Sequence, residues 1–314
     1  MYFVILLLRP YMNFMRTVFI KTLVLTLLSF SVMAQRKHAH VLIIGLDGFS
    51  AEGYKKAKHP NLDKLFADGV LSLTTRPVMP SVTLPNWTSH LTGSGPEEHG
   101  ITANDWTLEK HTLLPLETDQ DGYYPSIFKV LKETIPTAKT GYYYNWKELI
   151  NPINKKYLDE VSFEEKDEYK GNYQKAFDFM VKNKQNPTLT FLYSVHTDHA
   201  GHGFGWMTPE YIKAIEDADV EIGILLDKLK KDGLYKDMHI LLITDHGGIN
   251  KGHGGISMVE MQVPWAITGP QVKKGGIITA FNSNKNTSLV LAKIFGISKL
   301  PESWTGTIPK NVFK

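Results

Sequence analysis

Two apolar runs that end in an acidic residue beside glycine most constrain the fold of this chain. "HVLIIGLDG" places Asp47 directly after a run typical of a buried strand, and "MHILLITDHGG" does the same for Asp245 and His246. Nearly continuous apolar runs are typical of strands whose two faces are both covered. The sequence therefore favours a central sheet with helices on each side.

Helical segments alternate with these runs along the chain. "NLDKLFADGV", closed by Gly69, "YYPSIFKVLKET" and "NTSLVLAKIFG" have helical patterns, as do residues 171–184 and 209–231. A further helix is expected from Pro85, since proline is favoured in the first turn. Strands are also predicted in "AKTGYYYN", "PTLTFLYSV" and "VPWAITGP". The alternation predicts an α/β fold, a three-layer αβα sandwich with a mostly parallel central sheet. The polar residues 151–170 are predicted to be an excursion or lid.

The first 34 residues have the pattern of a secretory signal. Arg16 and Lys21 precede the apolar run "TLVLTLLSFSVMA", which ends in small residues at Ala34. That run is short for a bilayer span, so cleavage is favoured over an uncleaved membrane anchor. We therefore expect a signal peptide over residues 1–34 and a single domain over residues 35–314. The mature protein is expected to be exported, periplasmic or secreted, with no stable membrane anchor.

Charge and cysteine content narrow the classes of function. The chain has 35 basic and 32 acidic residues, and three of the basic ones, Arg9, Arg16 and Lys21, lie in the predicted leader. The balanced remainder gives no electrostatic case for nucleic-acid binding, so no nucleic-acid-binding domain is expected. Because the chain has no cysteine, a transition-metal site must use His, Asp and Glu.

Three short segments concentrate carboxylates and imidazoles beside glycines. "HTDHAGHGFG" contains Asp198 and His202, "TDHGG" contains Asp245 and His246, and "KGHGG" contains His253. Ligands collect at the carboxyl ends of parallel strands. An isolated acid after a strand is often a cap, but with the acid of the first run these residues make three carboxylates and three imidazoles. That set predicts two divalent metal ions, with Zn²⁺ as the expected ion, held roughly 4 Å apart.

A threonine stands at a predicted helix start in "PSVTLPNWTSHLTG". Thr83 could serve there as a helix cap, but beside metal ions it is a candidate nucleophile. A threonine hydroxyl is a poor nucleophile at neutral pH and needs a base, a metal or a lowered pKa. No neighbouring residue is an evident base, so coordination to a metal is expected. The helix end is also expected to offer N–H groups to a phosphate.

The order of these segments resembles the alkaline phosphatase superfamily, and within it the type I phosphodiesterase/nucleotide pyrophosphatase family. The resemblance runs from about His40 to Gly306 and includes "PEEHGITANDW" and "PESWTG". It implies an alkaline-phosphatase-like catalytic domain acting on a small-molecule phosphate ester or diester. The implied reaction is cleavage of phosphodiester or pyrophosphate bonds through a phospho-threonine intermediate.

The resemblance also implies a role for each candidate residue. Thr83 is the implied nucleophile, and it completes the ligand shell of a metal held by Asp47, Asp245 and His246. The other metal, which activates water in the family, has as its implied ligands Asp198, His202 and His253. Asn86 is implied to hydrogen-bond a non-bridging phosphoryl oxygen. Leu84 and Lys251 are predicted substrate contacts.

Two features depart from the nucleotide pyrophosphatases. Leu84 stands where they commonly carry an aromatic ring that helps to stack a base, which weakens the case for a nucleotide. A ring could instead come from Tyr123, Tyr124, Trp106 or Trp206. The second departure is the short spacing of His253, seven residues after His246, which is familiar in smaller bacterial members.

Three hypotheses remain open at this point. Apart from Lys251, no Lys or Arg lies near the core motifs, and this favours a diester over a dianionic monoester. A phosphomonoesterase or phosphonate hydrolase of the same superfamily is the second hypothesis. A non-catalytic metal-containing envelope binding protein is the third. A sulfatase is disfavoured, because those enzymes need a Cys or Ser that becomes formylglycine.

Overall fold

Eight strands form one sheet at the centre of the fold. The computed structural model describes residues 38–165 and 168–314, so the predicted signal peptide, residues 1–34, lies outside the described residues. The strands are β1 (His40–Leu46), β2 (Gly69–Thr75), β3 (Lys139–Tyr144), β4 (Glu160–Phe163), β5 (Thr188–Ser194), β6 (Met238–Ile243), β7 (Val263–Thr268) and β8 (Gly276–Ile277). Their order across the sheet is β4-β3-β5-β1-β6-β7-β2-β8.

The sheet is parallel except at β7. Strand β1 lies between β5 and β6, and all three run in the same direction, with Gly45 opposite Tyr193 and Ile243. Strand β7 runs antiparallel to both β6 and β2. The remaining neighbours are parallel. The predicted α/β fold with a mostly parallel sheet is confirmed.

Helices cover both faces of the sheet. Those of the described residues are α1 (Ala51–Lys56), α2 (Pro60–Ala67), α3 (Thr83–Thr92), α4 (Pro96–His99), α5 (Ile127–Thr134), α6 (Lys170–Lys182), α7 (His196–Phe204), α8 (Pro209–Asp232) and α9 (Thr287–Phe295). Val41 and Ile43 of β1 share a core with α3, α5 and α9. Leu42 and Ile44 share the opposite core with α1, α2, α6 and α8. This alternation of side chains gives the predicted three layers.

Several elements differ from their predictions. Residues 151–170 do not form a lid, because they contain β4, which pairs with β3 at the edge of the sheet. Helix α3 begins at Thr83 rather than Pro85, and Gly69 opens β2 rather than closing α2. Strand β2 and helix α7 are elements that the sequence patterns did not indicate.

The parallel strands deliver the chemically interesting residues to one edge of the sheet. Strands β1, β5 and β6 are neighbours, and Asp47, Asp198 and Asp245 follow their carboxyl ends. Residues His38–Lys314 form one compact unit. Within the described residues, no helix has both the length and the apolar content needed to cross a membrane.

Candidate metal centre

Asp47 and Asp245 each keep one buried oxygen without a hydrogen bond. Asp47 Oδ2 accepts hydrogen bonds from Trp87 Nε1 at 3.1 Å and from the Tyr193 hydroxyl at 2.5 Å. Asp245 Oδ1 accepts one from the Gly48 amide at 3.0 Å. The other oxygens, Asp47 Oδ1 and Asp245 Oδ2, are buried and have no hydrogen-bond partner. Each carboxylate is thus fixed through one oxygen and presents the other.

Helix α7 supplies the third carboxylate and the first imidazole. Asp198 and His202 are four residues apart, so they lie on the same side of this helix. Asp198 Oδ1 is a third buried oxygen without a hydrogen bond. Gly48 permits the close approach of α7: it has a φ of +65°, and a Cβ there would lie 3.0 Å from Asp198 Cα.

The three candidate histidines share one orientation. The Nδ1 atoms of His202, His246 and His253 lie 2.9, 2.9 and 3.0 Å from backbone carbonyl oxygens, those of Lys251, Gly247 and Ser81 respectively. A ring nitrogen that faces a carbonyl must donate, so each Nδ1 carries the proton. In the neutral form of each ring the lone pair is therefore on Nε2, the tautomer that a metal ligand requires.

The free nitrogens meet the free oxygens in two overlapping groups. His202 Nε2 and His253 Nε2 lie 3.5 and 3.8 Å from Asp198 Oδ1, and these three residues form one potential metal-binding group. The second group consists of Asp47, Asp198 and His246, whose donor atoms lie within 4.8 Å of one another. Asp198 belongs to both groups, whereas the family resemblance implied that it binds one metal only.

The nucleophile candidate and Asp245 adjoin the second group. His246 Nε2 is 3.0 Å from Asp245 Oδ2 and 3.5 Å from Asp47 Oδ1. Thr83 Oγ1 lies 3.4 Å from the same nitrogen. The structure thus brings the six proposed ligands and the threonine hydroxyl together.

The electrostatics of the centre favour bound cations. Burial, and then the carboxylates of Asp245 and Asp198, raise the pKa of Asp47 well above its usual value. Burial alone would lower the pKa of His246, but the surrounding carboxylates, Asp245 first, raise it to about 10. Burial, with the neighbouring His246, lowers the pKa of His253 to about 4. Three crowded carboxylates that face three imidazole Nε2 atoms fit divalent metal ions of the zinc type, which would replace the protons on these groups.

A cavity of about 220 Å³ opens beside this centre. Its lining residues are Asp47, Thr83, Asn104, Trp146, Val195, Asp198, His199, His202 and His253. Asn104 Oδ1 accepts a hydrogen bond from the Leu84 amide at 2.8 Å. That bond fixes the orientation of the Asn104 amide and does not use its N–H donors.

The predicted contact between Asn86 and a phosphoryl oxygen is wrong. Asn86 is fully buried, and its Nδ2 donates to the carbonyls of Pro80 and Val82 at 3.0 and 2.9 Å. Its Oδ1 accepts from the Val78 amide at 2.7 Å and from Asn284 Nδ2 at 3.0 Å. The side chain therefore fastens the loop before Thr83 and has no donor left for a substrate.

The two other predicted substrate contacts are also placed away from the cavity. Leu84 is fully buried and packs with Ile101 and Trp106. The Lys251 amine donates to the Gly203 carbonyl at 2.7 Å, and neither residue is part of the cavity lining. Lys251 instead acts through its backbone, whose carbonyl orients His202.

The start of α3 also differs from the sequence-based picture. Its N-cap is Val82, so Thr83 is the first helical residue and not a cap. Of the amides that follow, Leu84 N already donates to Asn104, and Pro85 has no N–H. The helix end therefore offers a phosphate fewer donors than expected, and the Asn104 side chain lies beside it in the cavity lining.

Sequence reasoning missed Asn104 and Trp146. Asn104 lies in "PEEHGITANDW", a segment that carries the family resemblance, and its position after the nucleophile helix was the available signal. Trp146 lies two residues after β3 and its run of tyrosines, and its sequence context gave no comparable signal. Of the aromatic alternatives, Trp206 packs against His202 and His253, at 5.2 and 6.0 Å between ring centres.

The fold and the centre together define a class. This is an α/β protein with Asp and His side chains gathered beside a threonine hydroxyl at the carboxyl ends of parallel strands, the edge at which such sheets bind ligands. The chain belongs to the type I phosphodiesterase/nucleotide pyrophosphatase family, whose model matches residues 41–258.

Curated relatives match part of their own length. An uncharacterised pyrophosphatase/phosphodiesterase of Schizosaccharomyces pombe is 28% identical over 222 residues, which cover 66% of this chain and 44% of that protein. Mouse ectonucleotide pyrophosphatase/phosphodiesterase family member 1 is 30% identical over 220 residues, which cover 66% of this chain and 24% of that protein. The human bis(5'-adenosyl)-triphosphatase of the same family is 28% identical, with coverage of 66% and 47%. The chain thus spans less than half the length of these relatives.

Solved structures agree with the fold. Human ectonucleotide pyrophosphatase/phosphodiesterase 5 superposes with a TM-score of 0.71 at 17% identity, covering 85% of this chain and 97% of that one. An inactive variant of the murine protein, solved in complex with AMP, also gives a TM-score of 0.71, at 16% identity with coverage of 84% and 96%. At these identities the likeness establishes the architecture alone.

Proposed function

We propose that this protein hydrolyses phosphodiester or pyrophosphate bonds through a phospho-threonine on Thr83, with two divalent metal ions, preferentially Zn²⁺. One observation carries the proposal: three histidines, each held at Nδ1 by a backbone carbonyl, direct Nε2 at three buried carboxylate oxygens beside the Thr83 hydroxyl. Family membership supports it, as do relatives named pyrophosphatases or phosphodiesterases.

The ligand set divides between two ions. Asp198, His202 and His253 would hold one ion, and Asp47, Asp245, His246 and Thr83 would hold the other. When bound, such ions supply Lewis acidity and lower the pKa of a coordinated hydroxyl or water. The shared position of Asp198 between the two groups allows it to contact either ion.

In the proposed reaction Thr83 is the nucleophile at phosphorus, and Asn104 is a hydrogen-bond donor to a phosphoryl oxygen. Thr83 Oγ1 loses its proton to water and attacks, and its new bond to phosphorus forms as the bond to the leaving group breaks; that group departs as an alcohol or a phosphate. Water then displaces Thr83 from phosphorus, and two in-line displacements give overall retention. Asn104, held by the Leu84 amide, donates to a non-bridging oxygen whose charge grows during each displacement.

The cavity favours a diester over a dianionic monoester. None of the described residues that line it is Lys or Arg, so a second negative charge on phosphate would face no cationic side chain. Trp146 and Val195 provide an aromatic and an aliphatic wall for an organic group. These features support diesters, including nucleotide derivatives, over phosphomonoesters and phosphonates.

A paired assay tests this function. We expect bis-p-nitrophenyl phosphate to be turned over faster than p-nitrophenyl phosphate, and a chelator to abolish both activities. Thr83→Ala should lose turnover while its metal content stays near two ions. Appreciable diesterase activity in that variant would defeat the assignment. No turnover of either ester by the fully loaded wild-type protein would favour a non-catalytic binding protein.

We also propose export with cleavage after Ala34. The support is the basic and apolar pattern of residues 16–34. Sequencing the N-terminus of the protein recovered outside the cytoplasm should give a start at Gln35. A mature protein that retains residues 1–34 would contradict cleavage and leave the catalytic proposal untouched.

A further inference from the structure

Ser81 makes two hydrogen bonds to the loop that carries His253, one as a donor and one as an acceptor. It is fully buried and lies two residues before Thr83. Its hydroxyl donates to the Gly255 carbonyl at 2.6 Å, and its own carbonyl accepts from His253 Nδ1 at 3.0 Å. One residue therefore joins the segment of the nucleophile to the loop that carries a proposed ligand of the other metal.

Glu260 holds the same loop through hydrogen bonds to the residues that follow His253. Its carboxylate accepts hydrogen bonds from the Gly255 amide at 2.8 Å, the Ser257 amide at 3.1 Å and the Ser257 hydroxyl at 2.5 Å. Its backbone carbonyl accepts from the Gly247 amide at 2.9 Å, next to His246. Glu260 thus ties residues 255–257 to the segment that follows β6.

The burial of this carboxylate shows how strongly it constrains the loop. Glu260 is only 5% exposed, and among the described residues none of the ion pairs involves it. A buried charge without a cationic partner is costly unless it is well hydrogen-bonded, so the loop must keep its donors in place. Gly255 is required for this approach, since a Cβ there would lie 2.7 Å from Glu260 Oε2.

We propose that Ser81, Gly255, Ser257 and Glu260 form a clasp that positions His253 for metal binding relative to Thr83. The Ser81 hydroxyl and the Glu260 carboxylate are positioning residues, because they act through the loop and contact no proposed metal donor atom. The proposal rests on the proposed function in one respect: His253 must be a metal ligand. It predicts that a weakened clasp lowers the zinc affinity of one of the two metal sites and leaves the affinity of the other unchanged.

The test measures metal binding rather than turnover. Metal-free Ser81→Ala and Glu260→Gln are titrated with Zn²⁺ in competition with a chromogenic chelator. We expect one site to weaken about 10-fold or more, as is typical when a ligand loses its outer support, and the other to keep its wild-type affinity. His253→Ala supplies the reference, because it removes the positioned ligand itself.

Two further variants separate positioning from general stability. Glu98 is also buried, at 8% exposure, and accepts a loop amide, that of Gly95 at 2.6 Å, but lies outside the clasp. Glu98→Gln should therefore keep both zinc affinities. Ser257→Ala removes one donor from Glu260 and should weaken the same site by a smaller factor. It serves as the test if Glu260→Gln fails to fold.

The outcomes distinguish the clasp from the proposed function. Wild-type affinities at both sites in Ser81→Ala and Ser257→Ala would overturn the clasp, and so would equal weakening of both sites. If the wild-type protein itself binds fewer than two zinc ions, the proposed function fails. Two ions bound by the wild type, with unaffected clasp variants, would contradict the clasp alone.

Discussion

At the scale of single residues, two asparagines near Thr83 differ in role: one stabilises the fold, and the other is the proposed substrate contact. Asn86 uses its whole amide to hold residues 78–82 and Asn284. Asn104 uses only its oxygen, on the Leu84 amide, and lines the cavity. The same side chain thus serves the fold at one position and the proposed chemistry at the other.

Asn104→Ala should lower kcat roughly 100-fold or more, because it removes a donor to charge that develops in the transition state. Zinc content should be unchanged, and the free energy of unfolding should fall by about 1 kcal/mol, since one hydrogen bond is lost. Steady-state kinetics with bis-p-nitrophenyl phosphate and urea unfolding give both quantities. Wild-type kcat in this variant would contradict the role.

The matched control is Asn86→Ala. It removes several buried hydrogen bonds and should cost roughly 2–4 kcal/mol of unfolding free energy. Its kcat per folded molecule should fall less than that of Asn104→Ala. The reverse order of kcat would restore Asn86 as the substrate contact.

Sequence patterns predicted which candidate ligands lie together better than they predicted the surroundings of the candidate substrate contacts, for a physical reason. Asp47 and Asp245 follow apolar strands whose parallel pairing alone brings them together. Which way an amide or lysine side chain points is decided by tertiary hydrogen bonds, such as that between Lys251 and Gly203. Asn86 was therefore misassigned and Asn104 overlooked.

At the scale of elements, α3 depends on buried neutral histidines. All ten of its residues are buried. His99 Nδ1 accepts from the Ile101 amide at 3.0 Å. Its Nε2, 3.0 Å from Ser89 Oγ, donates to that hydroxyl, which in turn donates to the Pro85 carbonyl. Protonation would place a second donor against the Ile101 N–H, and burial lowers the pKa of His99 to about 3.

Stability should therefore fall in mild acid. The unfolded state takes up the proton near pH 6.5 and the folded state only near pH 3, so the unfolded state binds more protons between these values. The His99 contribution is complete above pH 6.5, and stability decreases by about 1.4 kcal/mol per pH unit below it. His99→Gln should reduce the measured slope of unfolding free energy against pH. An unchanged slope would contradict the assignment.

A substitution at Gly45 tests the close contact between β1 and α3. A Cβ at this position would lie 2.7 Å from Trp87 Cη2, and Trp87 Nε1 donates to Asp47. Gly45→Ala should therefore cost about 1–3 kcal/mol of stability through overpacking and weaken metal binding. Gly203→Ala is the control, since nothing lies within 4 Å of its added Cβ. Equal stability of the two variants, measured by thermal unfolding, would contradict the predicted contact.

Strong periodicity made most elements predictable, and tertiary context explains the exceptions. Strands β1 and β6 are buried throughout and, apart from His40 and His239, apolar. Helix α7, "HTDHAGHGF", is rich in His and Gly, which are poor helix formers, and its contacts with α8 override that propensity. The reversed direction of β7 has no signature in its own residues, because direction depends on the preceding connection.

At the scale of the whole molecule, metal binding and folding should be coupled. The metal-free centre crowds three buried carboxylates. Chelation should lower the melting temperature, because each ion at 100 times its Kd adds about 2.7 kcal/mol to stability. Asp47→Asn should melt higher than the wild type once both are metal-free, since it removes the burial cost and like-charge repulsion that raise the pKa of this carboxyl. Calorimetry with and without chelator checks both, and a melting temperature insensitive to chelator would contradict the coupling.

Diffraction from zinc-loaded crystals at the zinc absorption edge tests the central claim most directly. The account predicts two anomalous peaks, one within bonding distance of His202 Nε2 and His253 Nε2, the other of His246 Nε2 and Thr83 Oγ1. A single peak, or a second peak remote from Thr83 Oγ1, would contradict it.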